Sequence, residues 1–278
     1  MAKKTILIFF VLLTSLIWSN RARAWEAAHI KCRNPEAQKL ADEEYRILVA
    51  DQADSDMDKA IALMEKATSL EPANDMLWIE FSGNLWDRGD RLPKDTEARK
   101  KARIVYFDRG MEAAKKALSI RESAAAHFWY AANMASGGEM KGILTSVWMF
   151  PTLRKEMDRA DALDPHYGRG ATARFWSEVV ARVPDNVIKM VGMKPEDAID
   201  AIRNEIKRDP NYFENHIYLA DYLNRAGKKK EALEQLEFVL SKDPNSYPIE
   251  AEHSNQRRSL VLAKERWKEF TGKEYPNK

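Results

Sequence analysis

The chain has 278 residues, 45% hydrophobic and 32% charged, with a formal net charge of +2. That composition is globular and long enough for one large or two small domains. A single cysteine, Cys32, excludes an intrachain disulfide framework.

Residues 1–24 read as a secretory leader. Lys3 and Lys4 open it, an apolar run from Ile6 to Trp18 is broken only by Thr14 and Ser15, and Ala22-Arg23-Ala24 is an A-x-A cleavage site. The run is too short to span a bilayer as a helix. Cleavage after Ala24 predicts an exported, periplasmic chain that begins at Trp25 and forms one helical repeat domain over 25–278. Without Lys3, Lys4, Arg21 and Arg23, 41 basic residues face 43 acidic ones. That balance gives no electrostatic footprint for nucleic acid. Cys32 follows His29-Ile30-Lys31 and not the small residues of a lipobox, so it reads as a bystander thiol.

From Pro35 onward the pattern is helical. Apolar residues recur at three- and four-residue spacing, and Asp-Pro or Glu-Pro pairs punctuate them. The punctuation repeats. Ala60, Ala67 and Pro72 are separated by seven and five residues, and the same spacing joins Leu153, Ala160 and Pro165; Ala198, Glu205 and Pro210; and Ala232, Val239 and Pro244. Each helix ends before its proline, because the residue preceding proline disfavours helical geometry. A repeat built on helix pairs predicts an all-α solenoid of helical hairpins.

The middle of the chain departs from a regular period. A long helix is predicted over about Asp95 to Ser119, with Gly110, Ala114 and Ala117 at its small positions. Insertions at Gly138 to Pro151 and at Pro184 to Lys194 are expected to emerge as loops. Tyr212 to Arg225 and Lys230 to Ser241 form the clearest pair, turning at Gly227. A last helix, about Ile249 to Phe270, carries Leu260, Ala263 and Trp267 in a stripe fit to cap the array. The pattern Leu219-Ala220, Leu223, Gly227, Ala232, Leu236, Val239, Pro244 resembles a tetratricopeptide repeat, in which small residues let two helices approach closely.

No catalytic signature is visible. The five histidines stand alone, and there is no phosphate loop or nucleophile elbow. His127 and His216 read as packed side chains, and Lys228-Lys229-Lys230 as a solvated turn. The expectation is a non-enzymatic protein without cofactor or metal. Four aromatic groups carry the remaining signal: Trp78, Phe81 and Trp86; Phe128, Trp129 and Tyr130; Trp148 and Phe150; Phe175 and Trp176. Two roles are open to them, core packing or the lining of a ligand site. Three consecutive aromatics at 128–130 point in several directions, which favours the lining there. Gly168-Arg169-Gly170 precedes a helix start, where free amides and nearby arginines suit an anion; a plain turn between repeats is the equal alternative. Together these predict a ligand site with Trp129, Tyr130 and Asn133 on one wall and Arg169 and Arg174 on the other.

The run His127-Phe-Trp-Tyr-Ala-Ala-Asn133, the Lys141-Gly-Ile-Leu144 stretch, Met157-Asp-Arg-Ala-Asp-Ala-Leu-Asp-Pro-His-Tyr167 and Gly168-x-Gly-x-x-x-Arg174 are similar to the T component family associated with TRAP transporters (TatT-like). The likeness covers roughly Glu112 to Pro244. It implies a periplasmic, all-helical auxiliary protein with tetratricopeptide-like repeats. The implied partner is a TRAP substrate-binding subunit, and the implied ligand a small organic acid or apolar molecule. The chain departs from the family in lacking a lipobox and in carrying Pro184 to Lys194 in place of a short Gly-rich link. The alternative function is a generic repeat scaffold for protein–protein contacts in the cell envelope. Homo-oligomerisation stays open.

Overall fold

A computed structural model describes residues 30–50, 54–141, 143–183 and 185–276. The leader at 1–24 lies outside the described residues. These are helical apart from their turns, and they gather into two compact units divided between Gly168 and Arg169.

The first unit holds α1 (Pro35–Val49), α2 (Asp54–Leu70), α3 (Asp75–Arg91), α4 (Glu97–Ile120), α5 (Ala124–Lys141) and α6 (Ile143–Leu163). The second holds α7 (Ala171–Arg182), the short α8 (Asp185–Met190), α9 (Pro195–Arg208), α10 (Phe213–Arg225), α11 (Lys229–Leu240) and α12 (His253–Thr271). Local sequence explains the ends. Asn34 caps α1 by accepting from the amides of Glu36 and Ala37, with Pro35 at the first helical position. Thr96 caps α4 by accepting from the Arg99 amide. Helices α2, α6 and α9 each stop two residues before the proline of the repeat signature.

Within each unit the packing is that of antiparallel helix pairs. In the first, α1 packs on α2, α3 on α4 and α5 on α6, and α3 also packs on α5. In the second, α7 pairs with α9 and α10 with α11; the leading helices α7, α10 and α12 lie in a row. This is the predicted all-α, tetratricopeptide-like array of hairpins, closed by a capping helix. The repeat positions are the close-approach points: Ala60, Ala67, Ala160, Ala232 and Val239 are completely buried, and Leu153, Ala198 and Glu205 nearly so. Helix α12 seats Leu262, Ala263 and Phe270 in the second unit's core, with Leu260 and Trp267 at its margin.

The two insertions differ from expectation. Gly138 to Pro151 is not a loop: residues 138–141 are the last turn of α5 and residues 143–151 the first turns of α6, with Pro151 inside the helix. Proline removes one backbone hydrogen bond and crowds one turn, a local cost. No other breaker stands between Gly142 and Pro151. The second insertion forms α8, with Ile188 buried in the core of its unit.

Candidate interaction groove

The residues predicted to line a ligand site are divided between the units. Trp129, Tyr130 and Asn133 belong to the first, and Arg169 and Arg174 to the second. Each group is accounted for by neighbours in its own unit.

Helix α5 touches α3, α4 and α6, so it has almost no solvent face. That corrects the expectation that consecutive aromatics cannot share one core. Phe128 and Trp129 are both fully buried. Their rings meet edge-on at 5.2 Å, the Trp86 ring lies 5.8 Å from Trp129, and Tyr167 lies 5.4 Å from Phe128. Tyr130 is half-buried, with the Lys115 ammonium 5.7 Å from its ring centre. Asn133 is a strut between helices. Its amide donates to Ser82 Oγ (3.1 Å) and to the Trp129 carbonyl (2.8 Å), while Ser82 Oγ donates to the Gly110 carbonyl (2.7 Å). Gly110 makes room for it: a Cβ there would stand 2.1 Å from Asn133 Oδ1. Glycine at 110 thus sets how closely α4 approaches α5.

In the second unit, Gly168, Arg169 and Gly170 take three successive left-handed conformations, with φ of 55°, 56° and 89°. This turn suits glycine. Gly170 also meets a side chain: a Cβ there would lie 2.5 Å from Glu205 Cγ. The protein's own Glu205 therefore packs against this helix start, which favours the plain turn between repeats over the anion site. Arg174 is 3% exposed. It donates through Nη1 to the Arg169 carbonyl (2.8 Å) and to Asn215 Oδ1 (2.9 Å), its Nε is 3.4 Å from Glu214, and its guanidinium stacks on Tyr212 at 5.2 Å. Tyr212 in turn donates to Glu214, and Asn255 donates to Tyr212. Arg169 sits between the Tyr212 and Tyr247 rings, 3.6 Å from both Asp209 and Glu252.

Glu252 in this network is completely buried. Burial pushes its carboxyl up to about 7 against the opposing pull of Arg169, with the Glu214 charge adding to the rise. A carboxyl raised in the folded state contributes stability that is complete below the unfolded value near 4.5 and lost as pH rises through about 7. Glu252→Gln should therefore gain about 2 kcal/mol relative to wild type between pH 5 and pH 8. Urea midpoints across that range would show it as a shallower decline. Some slope should survive, since burial also raises Glu178 and Asp90 to about 7. Parallel wild-type and variant profiles would show that Glu252 does not titrate in this window.

The other singled-out groups are also committed. The His127 ring lies 2.6 Å from Glu156 and 3.1 Å from Glu122. His216 bonds Gln235 and the Pro210 carbonyl, stacks on Phe238, and is held low by burial. The Cys32 thiol is pushed up to about 11 by burial and by Glu71 and Asp42, which keeps it protonated and unreactive. Among the described residues no group of three or more His, Cys, Asp or Glu is placed to hold a metal.

An open groove of about 920 Å³ lies in the first unit, between α2, the start of α3 and the second half of α4. Trp78, Phe81, Met111 and Ala113 give it an apolar floor, and Glu65, Asp108, Arg109, Glu112 and Lys116 a rim of both signs. Trp78 is fixed at the start of α3 because its indole N–H donates to the Pro72 carbonyl (3.0 Å), and it meets Phe81 edge-on at 6.2 Å. The Arg109 guanidinium lies 5.6 Å from the Phe81 ring, and its Nη2 is 3.0 Å from Glu65. The sequence singles out Trp78, Phe81 and Trp86 as one aromatic group, but its pattern points to a site elsewhere. Missed were Glu65 and Arg109, ordinary surface charges until α2 and α4 are brought side by side.

Fold and groove define a tetratricopeptide-like helical-repeat protein with an open surface channel. No family model matches the chain. It is 28% identical over 181 residues to "Regulator of microtubule dynamics protein 1" of Mus musculus, covering 60% of this chain and 55% of that protein. The protein of the same name from Bos taurus is 28% identical over 176 residues, covering 58% and 52%. The chain thus spans about half the length of the curated relatives it matches. Among solved structures it is similar to "Crystal structure of MamA", at 15% identity and a TM-score of 0.40, covering 83% of this chain and 99% of that one.

Proposed function

We propose that this protein is a non-enzymatic interaction scaffold and that the α2–α4 groove receives an extended or helical segment of a partner protein. One observation carries this reading: the groove joins an apolar aromatic floor to a rim of paired charges on a packed array of helices. Helical repeats present long surfaces of this kind, and aromatic anchors ringed by polar groups are how protein partners are held. The interior polar networks are engaged in packing, which leaves the surface as the place for recognition. A narrower version makes the protein an exported one and the partner a TRAP substrate-binding subunit. It rests on the leader and on the sequence resemblance.

A photo-crosslinker at position 116, on the groove rim, tests the scaffold reading in the native host. It should yield a discrete protein adduct that Trp78→Ala abolishes. A crosslinker at Lys230, whose side chain is 93% exposed and belongs to the other unit, serves as the control. Equal yields from 116 and 230 would remove the groove as a docking site. An adduct identified as a TRAP substrate-binding subunit would support the narrower version, and any other partner would reject it.

A further inference from the structure

The first turns of α6 present a feature that the groove does not use. Trp148 is 84% exposed, whereas Trp86 and Trp129 are buried. An indole held in water is costly, and one at this exposure makes little use of its apolar area within the unit. It stands in a run, Gly142 to Leu153, of 12 residues without a charge. At the chain's overall 32% charged composition, such a run would carry about four. Cations flank it. Lys141 precedes it, 2.6 Å from Asp108, and Arg154 follows, 3.6 Å from Asp158; Lys155, next in the chain, is exposed and has no ion-pair partner among the described residues. The helix begins without an acidic residue in its first turn.

We propose that the start of α6 is a lipid-docking element that seats Trp148 at the surface of an anionic membrane. The indole suits that boundary, because its ring is apolar and its N–H is polar. Lys155, exposed at the end of the run, supplies a cation for a phospholipid head group. The segment docks and does not cross: Ile143 to Leu153, 11 helical residues, rise about 16 Å, against a hydrocarbon core of roughly 30 Å. No helix among the described residues is long and apolar enough to span. A protein partner is the less favoured occupant, because the uncharged run is bounded by Lys141 on one side and by Arg154 and Lys155 on the other.

Co-sedimentation of the full chain with vesicles of phosphatidylethanolamine and phosphatidylglycerol tests this, with phosphatidylcholine vesicles as the comparison. Because residues 1–24 carry an apolar run of their own, wild type and variants are compared in one leader state, established by intact mass. Wild type should pellet with the anionic vesicles. Trp148→Glu should lower the bound fraction roughly tenfold, Trp148→Phe should retain most of it, and Lys155→Glu should weaken it in a salt-dependent way. Melting temperatures should not change, since Trp148 is exposed. Equal pelleting of wild type and Trp148→Glu would overturn the proposal. So would a wild type that ignores anionic vesicles but forms a concentration-dependent dimer that Trp148→Glu dissolves. That result would assign the face to a second copy of the chain.

Discussion

Trp129→Ala should destabilise the protein by about 3–5 kcal/mol, the range for removing a large aromatic from a core that cannot collapse around the void. Trp129 is 1% exposed and meets the Trp86 and Phe128 rings at 5.8 and 5.2 Å. Helices α3 and α4 also pack on each other, so they cannot close in freely and the cavity would persist. The ring loss also loosens the Asn133 strut, whose amide is held by the Trp129 carbonyl and by Ser82. Urea unfolding would read the loss as a lower midpoint at unchanged slope. Trp129→Phe should recover a large part of it. A variant as stable as wild type would return Trp129 to the role of a ligand wall.

Arg174→Ala should cost a comparable amount, about 3–5 kcal/mol, for an electrostatic reason. The side chain is 3% exposed, and Glu214 beside it is completely buried. Taking away the guanidinium leaves the Glu214 charge without its nearest cation. It also strips a donor from Asn215 and from the Arg169 carbonyl. Arg174→Lys keeps the charge but not the planar fork that reaches several partners at once, so it should fall between wild type and Ala. Arg174→Ala combined with Glu214→Gln should lose less than Arg174→Ala alone, because the buried charge goes with its partner. If Arg174→Ala unfolds at the wild-type urea midpoint, the residue serves recognition and not the interior.

The helical pairs were legible because their signals are local. Ala60, Ala67 and Pro72 mark a close approach and a helix end within one short stretch, and so do their counterparts at 153–165, 198–210 and 232–244. Small side chains allow the approach, and proline ends the helix. Gly227 and the capping stripe of α12 were legible for the same reason. The insertion from Gly138 to Pro151 differs from a loop because Gly and Pro alone do not break it: α5 runs to Lys141, and the uncharged segment from Ile143 to Pro151 is helix.

What the chain by itself determined is therefore the all-helical class, the pairing of successive helices and the small residues at their crossings. These follow from spacing and from turn chemistry, which act over a few residues. The burial of Phe128, Trp129 and Asn133 was decided only in the tertiary structure, because it depends on three helices surrounding α5, and a helix does not record in its own sequence how many neighbours it will have. The same holds for Arg174, which could be an anion receptor or a buried ion pair until α10 brings Glu214 and Asn215 against it. The groove is the extreme case. Trp78 and Phe81 come from one helix, Glu65 from another and Arg109 from a third, and only the packing of the three helices joins two aromatics and two ordinary surface charges into a surface that a partner can occupy.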